Sequence, residues 1–138
     1  MEVKDIHILL IDDDKIVHKA MRRILEEKSM VNPLLTAKNG EEGLSILKSP
    51  DGPWARGLPL LVILDLNMPK MDGHEFLKEM RGDPKLNNIP VFVLTTSKAP
   101  RDLGDAYDMA VIGYVIKEEL SESLEKALTV LEQTWRFE

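Results

Sequence analysis

The central stretch of the chain, Leu60-Leu61-Val62-Ile63-Leu64-Asp65, contains five consecutive apolar residues followed by a carboxylate. A strand with one face in water would alternate apolar and polar residues, so this unbroken run predicts a strand that is buried on both faces. The stretches 6–11 and 91–94 are similar strand-length runs, and they end at Asp12 and Thr95. Strands of this kind form parallel sheets that are covered by helices on both sides.

Segments with helical periodicity separate these strands. A short, weaker strand is predicted at 33–36, and the last strand is predicted at 111–116. The connection 49–59, which contains Trp54, is predicted to be an ordered surface loop. The pattern is that of an α/β domain with five β-α units. The helices are predicted at 15–28, from Asn39 to about Ser49, after Asp72-Gly73, from Pro100, and over 120–131.

The composition restricts the class of protein. The 138 residues suit one domain, and 43% hydrophobic with 30% charged residues is ordinary for a globular protein. The formal net charge of −6 disfavours binding of this domain to nucleic acid or to anionic membranes. The absence of cysteine excludes disulfides, thiolate chemistry and cysteine-ligated metals. No apolar run is long enough to cross a bilayer and no signal peptide is recognisable, so we expect a cytoplasmic protein.

Polar side chains follow four of the predicted strands. Asp12 and Asp13 come after the first strand, Asp65 after the third, Thr95 after the fourth and Lys117 after the fifth. Because ligands of open parallel sheets bind outside the carboxyl ends of the strands, these residues are expected to meet at one edge. Three carboxylates would repel one another there unless a cation neutralises them, and an all-oxygen set favours Mg²⁺. A lysine and a hydroxyl beside them suit a phosphoryl group, so the pattern predicts metal-dependent phosphoryl chemistry.

Four motifs in register resemble the receiver domain of two-component response regulators. They are Leu10-Ile11-Asp12-Asp13-Asp14, Leu64-Asp65-Leu66-Asn67-Met68-Pro69-Lys70-Met71-Asp72-Gly73, Val93-Leu94-Thr95-Thr96-Ser97 and Gly113-Tyr114-Val115-Ile116-Lys117. The resemblance covers essentially the whole chain. It implies a flavodoxin-like (βα)5 three-layer sandwich in which a five-stranded parallel sheet has the order 2-1-3-4-5. We expect one receiver domain over 1–138, with no output domain.

The resemblance implies a phospho-acceptor and a metal site. Asp65 is implied as the acceptor, in a protein that is not an enzyme beyond catalysing its own phosphorylation and dephosphorylation. The side chains of Asp13 and Asp65 would coordinate Mg²⁺. The backbone carbonyl of Asn67 would be a further ligand, and Asp12 would act chiefly through water.

The resemblance also implies how the signal leaves the site. The hydroxyl of Thr95 and the ammonium of Lys117 would bind phosphoryl oxygens, and Tyr114 would be the aromatic switch that turns inward when Thr95 moves. The added charge repositions these groups, and the change reaches the face built by the fourth helix, fifth strand and fifth helix. A homodimer through the same face is expected by resemblance.

The partners follow from a narrower resemblance. The segments 83–90 and 93–97, together with the long loop before the third strand, are similar to single-domain regulators that are paired with phytochrome-type histidine kinases. The implied partner is therefore a sensor histidine kinase of this type, or a phosphotransfer protein. One position departs from the family, because Glu118 follows Lys117 where receivers usually have proline. A cis bond is costly before a residue other than proline, so a trans bond is expected.

The sequence disfavours two other functional classes. A phosphatase that forms an aspartyl phosphate needs a second carboxylate two residues after its nucleophile, where Asn67 stands. A flavodoxin-like electron carrier needs a phosphate-binding loop after the first strand, where three aspartates would repel the flavin phosphate. A receiver that binds partners without phosphorylation, and the receiver part of a longer DNA-binding regulator, stay open.

Several single residues have simpler interpretations. Asp14 is predicted to cap the first helix, and Asp12 and Asp13 taken alone could do the same. Trp135 and Phe137 are predicted to lie in a dimer interface, because an exposed aromatic pair is costly in water. The three isolated histidines are predicted to lie at the surface or at helix ends and not to donate phosphoryl groups: His7, His18 and His74.

Overall fold

The computed structural model describes residues 3–66, 72–96 and 111–134, and every structural statement below refers to these residues. Four of the sequence predictions lie outside them. These concern the carbonyl of Asn67, the helix from Pro100, and the placement of Trp135 and Phe137.

The sheet has five parallel strands, and it confirms the predicted α/β fold with the order 2-1-3-4-5. The strands are β1 (His7–Ile11), β2 (Leu35–Ala37), β3 (Leu60–Asp65), β4 (Val91–Thr95) and β5 (Gly113–Ile116). Their order across the sheet is β2-β1-β3-β4-β5. The three strands with the strongest apolar runs, β1, β3 and β4, therefore lie in the middle, where both faces are covered.

Four α-helices are present in the described part of the chain: α1 (Lys15–Glu27), α2 (Gly40–Lys48), α3 (Gly73–Gly82) and α4 (Leu120–Thr134). Side-chain caps explain where the first three begin. The carboxylate of Asp14, the amide oxygen of Asn39 and the carboxylate of Asp72 each accept a hydrogen bond from a backbone N–H in the first turn. The predicted capping by Asp14 and Asn39 is confirmed. Short 3₁₀ turns at Val3–Asp5 and Lys117–Glu119 precede β1 and α4.

The sheet separates two hydrophobic clusters, which makes the domain a three-layer sandwich. Leu9 and Ile11 of β1 pack with α2 and α3 on one face. Ile8 and Leu10 of the same strand pack with α1 and α4 on the other face. This alternation follows from the period of two in a strand, which sends successive side chains to opposite faces.

Two strands begin two residues later than predicted. β2 begins at Leu35, where its pairing with Leu9 of β1 starts, and not at Pro33. Proline has no N–H to donate to the sheet, so it precedes the strand. β5 begins at Gly113, which pairs with Phe92, although the apolar run starts at Val111. The apolar character of Val111 reflects burial in the core and not strand pairing.

Three further features bear on the sequence predictions. In the loop 49–59 the Trp54 ring packs against the cluster beneath α2 and α3, and its Nε1–H donates to the carbonyl of Lys85 at 2.7 Å. No peptide bond of the described residues is cis, so the predicted trans bond between Lys117 and Glu118 is confirmed. None of the helices in the described segments combines the length and the apolar character needed to span a membrane.

Candidate functional site

The strand register brings the predicted polar residues to one edge of the sheet. Ile11 pairs with Leu64, so Asp12 and Asp65 are the next neighbours along the two central strands. Asp65 pairs with Leu94, and Thr95 pairs with Ile116. Lys117 follows Ile116 directly, so the carboxyl ends of four neighbouring strands supply these side chains.

Three carboxylates form a cluster at this edge. One ligand oxygen from each of Asp12, Asp13 and Asp65 can be chosen so that all three lie within 4.8 Å of one another. Asp12 has no exposed surface and Asp65 is 6% exposed, whereas Asp13 faces solvent. Two buried carboxylates beside a third group of the same charge are strongly unfavourable without a neutralising cation.

The oxygens of this cluster suit a hard divalent cation. Oδ1 of Asp12 accepts a hydrogen bond from the backbone N–H of Asp14 at 3.0 Å. Oδ2 of Asp12 is buried and has no hydrogen-bond partner in the described residues. Buried carboxylate oxygens are almost always paired or metal-bound, and Mg²⁺ takes oxygen ligands from one or two carboxylates. The arrangement therefore fits Mg²⁺, in agreement with the sequence prediction.

Lys117 is the cation that the chain itself contributes to the site. Its Nζ lies 3.4 Å from Oδ2 of Asp65 and 3.6 Å from Oδ2 of Asp12. Partial burial would lower the pKa of this ammonium, but the charges of Asp65 and Asp12 outweigh it and raise the pKa. Lys117 is therefore positively charged at neutral pH and is held where it can contact both buried carboxylates.

The raised pKa of Asp12 indicates that the positive charge of Lys117 does not neutralise the carboxylates of the cluster. Burial, and secondarily the neighbouring charge of Asp65, raise the pKa of Asp12 from 3.8 to about 6. The backbone N–H of Asp14 and the ammonium of Lys117 oppose this rise without cancelling it. A carboxylate whose ionised form is disfavoured in this way gains from a bound cation.

His18 lies next to this site. The sequence analysis predicted a surface or helix-end position for it and did not predict its burial or its contact with Asp12. The imidazole is 7% exposed, and its Nε2 lies 2.7 Å from the carbonyl oxygen of Asp12. The spacing with Met21 and Leu25, which are also buried on α1, was the available signal for burial. The carbonyl partner carries no signal in the sequence.

Thr95 and Tyr114 lie on neighbouring strands, Thr95 as the last residue of β4 and Tyr114 opposite Val93 within β5. The hydroxyl of Thr95 is half-buried and donates to the carbonyl of Thr96 at 3.3 Å. The ring of Tyr114 packs against the cluster beneath α2 and α3, and its hydroxyl is buried. The structure thus brings Asp12, Asp13, Asp65 and Lys117 into one cluster and leaves Thr95 and Tyr114 beside it.

Comparison with known proteins gives one consistent family. The family described as "Response regulator receiver domain" matches residues 8–129. The chain is 34% identical over 136 residues to the probable methanogenesis regulatory protein FilR2 of Methanothrix harundinacea, which covers 98% of this chain and 87% of the relative. It is 32% identical to the response regulator Rcp1 of Synechocystis over 128 residues, or 93% of this chain and 87% of Rcp1.

Two solved structures extend these similarities. The Mn(2+)-bound form of Rcp1 has a TM-score of 0.68 at 31% identity, over 95% of this chain and 94% of that one. The phosphorylated cyanobacterial phytochrome response regulator RcpA has a TM-score of 0.71 at 33% identity, over 94% of this chain and 92% of that one. Both similarities span nearly the whole of each chain.

Proposed function

The chain belongs to the response regulator receiver family, the phosphorylation-activated switches of two-component signalling, and we propose that Asp65 is its phospho-acceptor and Mg²⁺ its cation. The observation that carries the proposal is the position of Oδ2 of Asp65. This oxygen lies 3.4 Å from the Lys117 ammonium, and its carboxylate shares a cluster with Asp12 and Asp13. Asp12, the other buried carboxylate of the cluster, lies slightly farther from the Lys117 ammonium, at 3.6 Å.

The chemistry requires a carboxylate oxygen to attack phosphorus while the bond between phosphorus and the donor breaks. Mg²⁺, when bound, would cancel the repulsion between the carboxylates and the incoming phosphoryl group. Asp65 supplies the attacking oxygen. Lys117 binds a peripheral phosphoryl oxygen through its ammonium, and the hydroxyl of Thr95 turns from the Thr96 carbonyl to donate to another.

The carboxylate cluster and the family resemblance together suggest the metal ligands. Asp13 is exposed and offers a carboxylate to the cation directly, together with Asp65. Asp12 would act through a coordinated water, and the backbone carbonyl of Asn67, which lies outside the described residues, would be a further ligand, as the family resemblance implies. The relative Rcp1 has been crystallised in a Mn(2+)-bound form, which supports a divalent cation in this family.

The consequence of the transfer is a change in charge at a buried site. A phosphoryl group brings roughly two negative charges and strong acceptors, so the Lys117 ammonium and the Thr95 hydroxyl have new partners. Tyr114 lies on β5, which is hydrogen-bonded to the strand that ends at Thr95. We propose that its ring moves inward with Thr95 and carries the signal to the face formed by β5, α4 and the predicted helix from Pro100.

A receiver domain is not a classical enzyme, because it acts on itself. We propose that this chain contributes only to its own phosphorylation and dephosphorylation. We further propose that residues 1–138 act as one receiver in the cytoplasm and that a sensor histidine kinase or a phosphotransfer protein supplies the phosphoryl group. A kinase of phytochrome type is favoured by the similarity to RcpA, which is described as a phytochrome response regulator.

Homodimerisation through the face of β5 and α4 is also proposed. Dimers of identical chains usually associate through one self-complementary patch, so each contact in such an interface occurs twice. Sedimentation velocity with and without acetyl phosphate tests the proposal. A monomer under both conditions contradicts it.

Intact-mass measurement after incubation with acetyl phosphate and Mg²⁺ tests the proposed function. We expect the gain of one phosphoryl group in the wild type and none in Asp65→Asn or in the presence of a chelator. Asp51→Asn is the matched control, because Asp51 is an exposed aspartate in the loop 49–59, and it is expected to behave as the wild type. A phosphoryl group that is gained by Asp65→Asn, or without a divalent cation, would refute the assignment.

A further inference from the structure

The buried imidazole of His18 has no role in the proposed chemistry, yet it contacts the site. Its Nε2 lies 2.7 Å from the carbonyl oxygen of Asp12, and both groups are buried. A carbonyl oxygen can only accept, so Nε2 carries the proton and donates. This bond joins the first turn of α1, which contains His18, to Asp12, the residue that follows β1.

Three hydrogen bonds hold Asp12 in place. Its backbone N–H donates to the carbonyl of Ala37 at 3.0 Å, and its Oδ1 accepts from the N–H of Asp14 at 3.0 Å. In each of these two bonds the partner contributes a backbone group, the carbonyl of Ala37 or the N–H of Asp14. Changing the partner's side chain would therefore keep both bonds, except for proline at position 14, which has no N–H. The third bond, from His18, is the only one of the three that depends on the partner's side chain.

The orientation that these bonds produce has a direct effect on the site. With Oδ1 engaged, Oδ2 is the oxygen that faces Asp65 and Lys117, and it lies 3.6 Å from the Lys117 Nζ. Rotation of the Asp12 peptide would move this oxygen relative to the cluster. The carbonyl would also lose its partner, and an unpaired buried carbonyl favours rearrangement of the loop.

We propose that His18 is a positioning residue for the divalent-cation site, which it stabilises by fixing the Asp12 backbone through the Nε2–H···O bond. The inference rests on the proposed function, because it takes the cluster of Asp12, Asp13 and Asp65 to be the cation site. Partners that orient metal-binding groups without touching the metal typically change affinity by about tenfold or more when removed. His18 is in this position relative to Asp12.

The experiment is a calorimetric titration of the full chain with Mg²⁺, in parallel with thermal unfolding in a chelator. His18→Leu removes the donor, and His18→Asn places its amide nitrogen too close to the main chain to reach the carbonyl. His18→Gln keeps a nitrogen donor as many bonds from Cα as the imidazole Nε2. Leu25→Ala is the control for general loosening of α1, since Leu25 is buried on the same helix near its other end.

We expect the dissociation constant for Mg²⁺ to rise about tenfold in His18→Leu and His18→Asn. The dissociation constant should stay near the wild-type value in His18→Gln and in Leu25→Ala. We expect Leu25→Ala to unfold at a lower temperature than the wild type. An unchanged constant in both donor-free variants overturns the inference. An equal rise in Leu25→Ala, or failure of His18→Gln to restore binding, overturns it as well. Absence of Mg²⁺ binding in the wild type would instead refute the proposed cation site itself.

Discussion

The buried carboxyl of Asp12 differs in its pKa from a carboxyl in water. It is fully buried, and burial together with the charge of Asp65 raises its pKa to about 6. An ionised Asp12 is therefore unfavourable in the fold when no cation is present. A bound divalent cation would offset this cost by neutralising the carboxylates, and it would compete with the proton that the raised pKa favours.

This shift predicts how stability depends on pH in the absence of divalent cations. The folded state holds the Asp12 proton more tightly than the unfolded state, whose carboxyl titrates near 3.8. The resulting stabilisation is fully present below that value and is lost as the pH rises to about 6 and beyond. We expect the free energy of unfolding of the wild type to fall by on the order of 3 kcal/mol relative to Asp12→Asn across this window.

Urea unfolding of both proteins in a chelator, at a series of pH values, measures this difference. Asp51→Asn serves as a control for the loss of one carboxylate, because Asp51 is exposed in the loop 49–59. Parallel profiles for the wild type and Asp12→Asn would show that Asp12 titrates normally.

At the scale of elements, the start of α3 lies directly against the strand that carries Asp65. A Cβ at Gly73 would come within 2.5 Å of Leu66 Cα and 2.6 Å of the Asp65 carbonyl oxygen. Real Cβ atoms do not approach this closely, and the obstacles are backbone atoms that cannot rotate away. The absence of a side chain at Gly73 thus lets α3 pack at this distance from the site.

Gly73→Ala is expected to destabilise the protein by about 1–3 kcal/mol through overpacking. Because the displaced backbone includes Asp65, phosphorylation by acetyl phosphate should also become slower. Gly82→Ala is the matched control on the same helix, since nothing lies within 4 Å of a Cβ there. Its stability should be unchanged or raised by up to about 1 kcal/mol. Equal stability of the two variants would contradict the close approach.

The end of α1 provides a second test at this scale. Ser29 has a φ of 58°, and its N–H donates to the Glu26 carbonyl while the N–H of Met30 donates to that of Leu25. This is the Schellman arrangement, in which the residue with positive φ is usually glycine. Serine is strained in this conformation because of its Cβ.

Ser29→Gly is therefore expected to raise the free energy of unfolding by about 0.5–1 kcal/mol. The same substitution at Ser45, an exposed position inside α2, should lower it by a similar amount because glycine is a poor helix former. Chemical denaturation of the two variants gives both values. Destabilisation by Ser29→Gly would mean that the left-handed conformation is not retained in solution.

For the whole molecule, binding of a cation at the proposed site is expected to raise the free energy of unfolding. The cluster combines the two residues that follow β1 with the last residue of β3, and Lys117 directly follows β5. The unfolded chain does not hold these groups together, so a cation that binds the cluster stabilises the entire fold. At Mg²⁺ about 100 times above its dissociation constant, the expected gain is about 2.7 kcal/mol.

Asp13→Asn should abolish most of this gain while leaving the chelator-treated protein at least as stable as the wild type, because Asp13 is exposed and its loss reduces the repulsion among the three carboxylates. Thermal unfolding with and without Mg²⁺ compares the two proteins. An equal shift by Mg²⁺ in Asp13→Asn would remove Asp13 from the set of ligands. A loss of stability in the chelator would show that Asp13 has a structural role.

The amino-acid sequence alone determined the order and type of the described elements, since apolar periodicity and capping residues such as Asp14 and Asn39 are local signals. It also indicated which residues follow the strands, because strand ends can be located from the chain itself. The register of the strands, the 3.4 Å contact of Lys117 with Asp65, and the contact of His18 with Asp12 were decided by the tertiary structure. These depend on how segments distant in the chain pack, and packing distances, burial and the resulting pKa shift of Asp12 arise only when the layers meet.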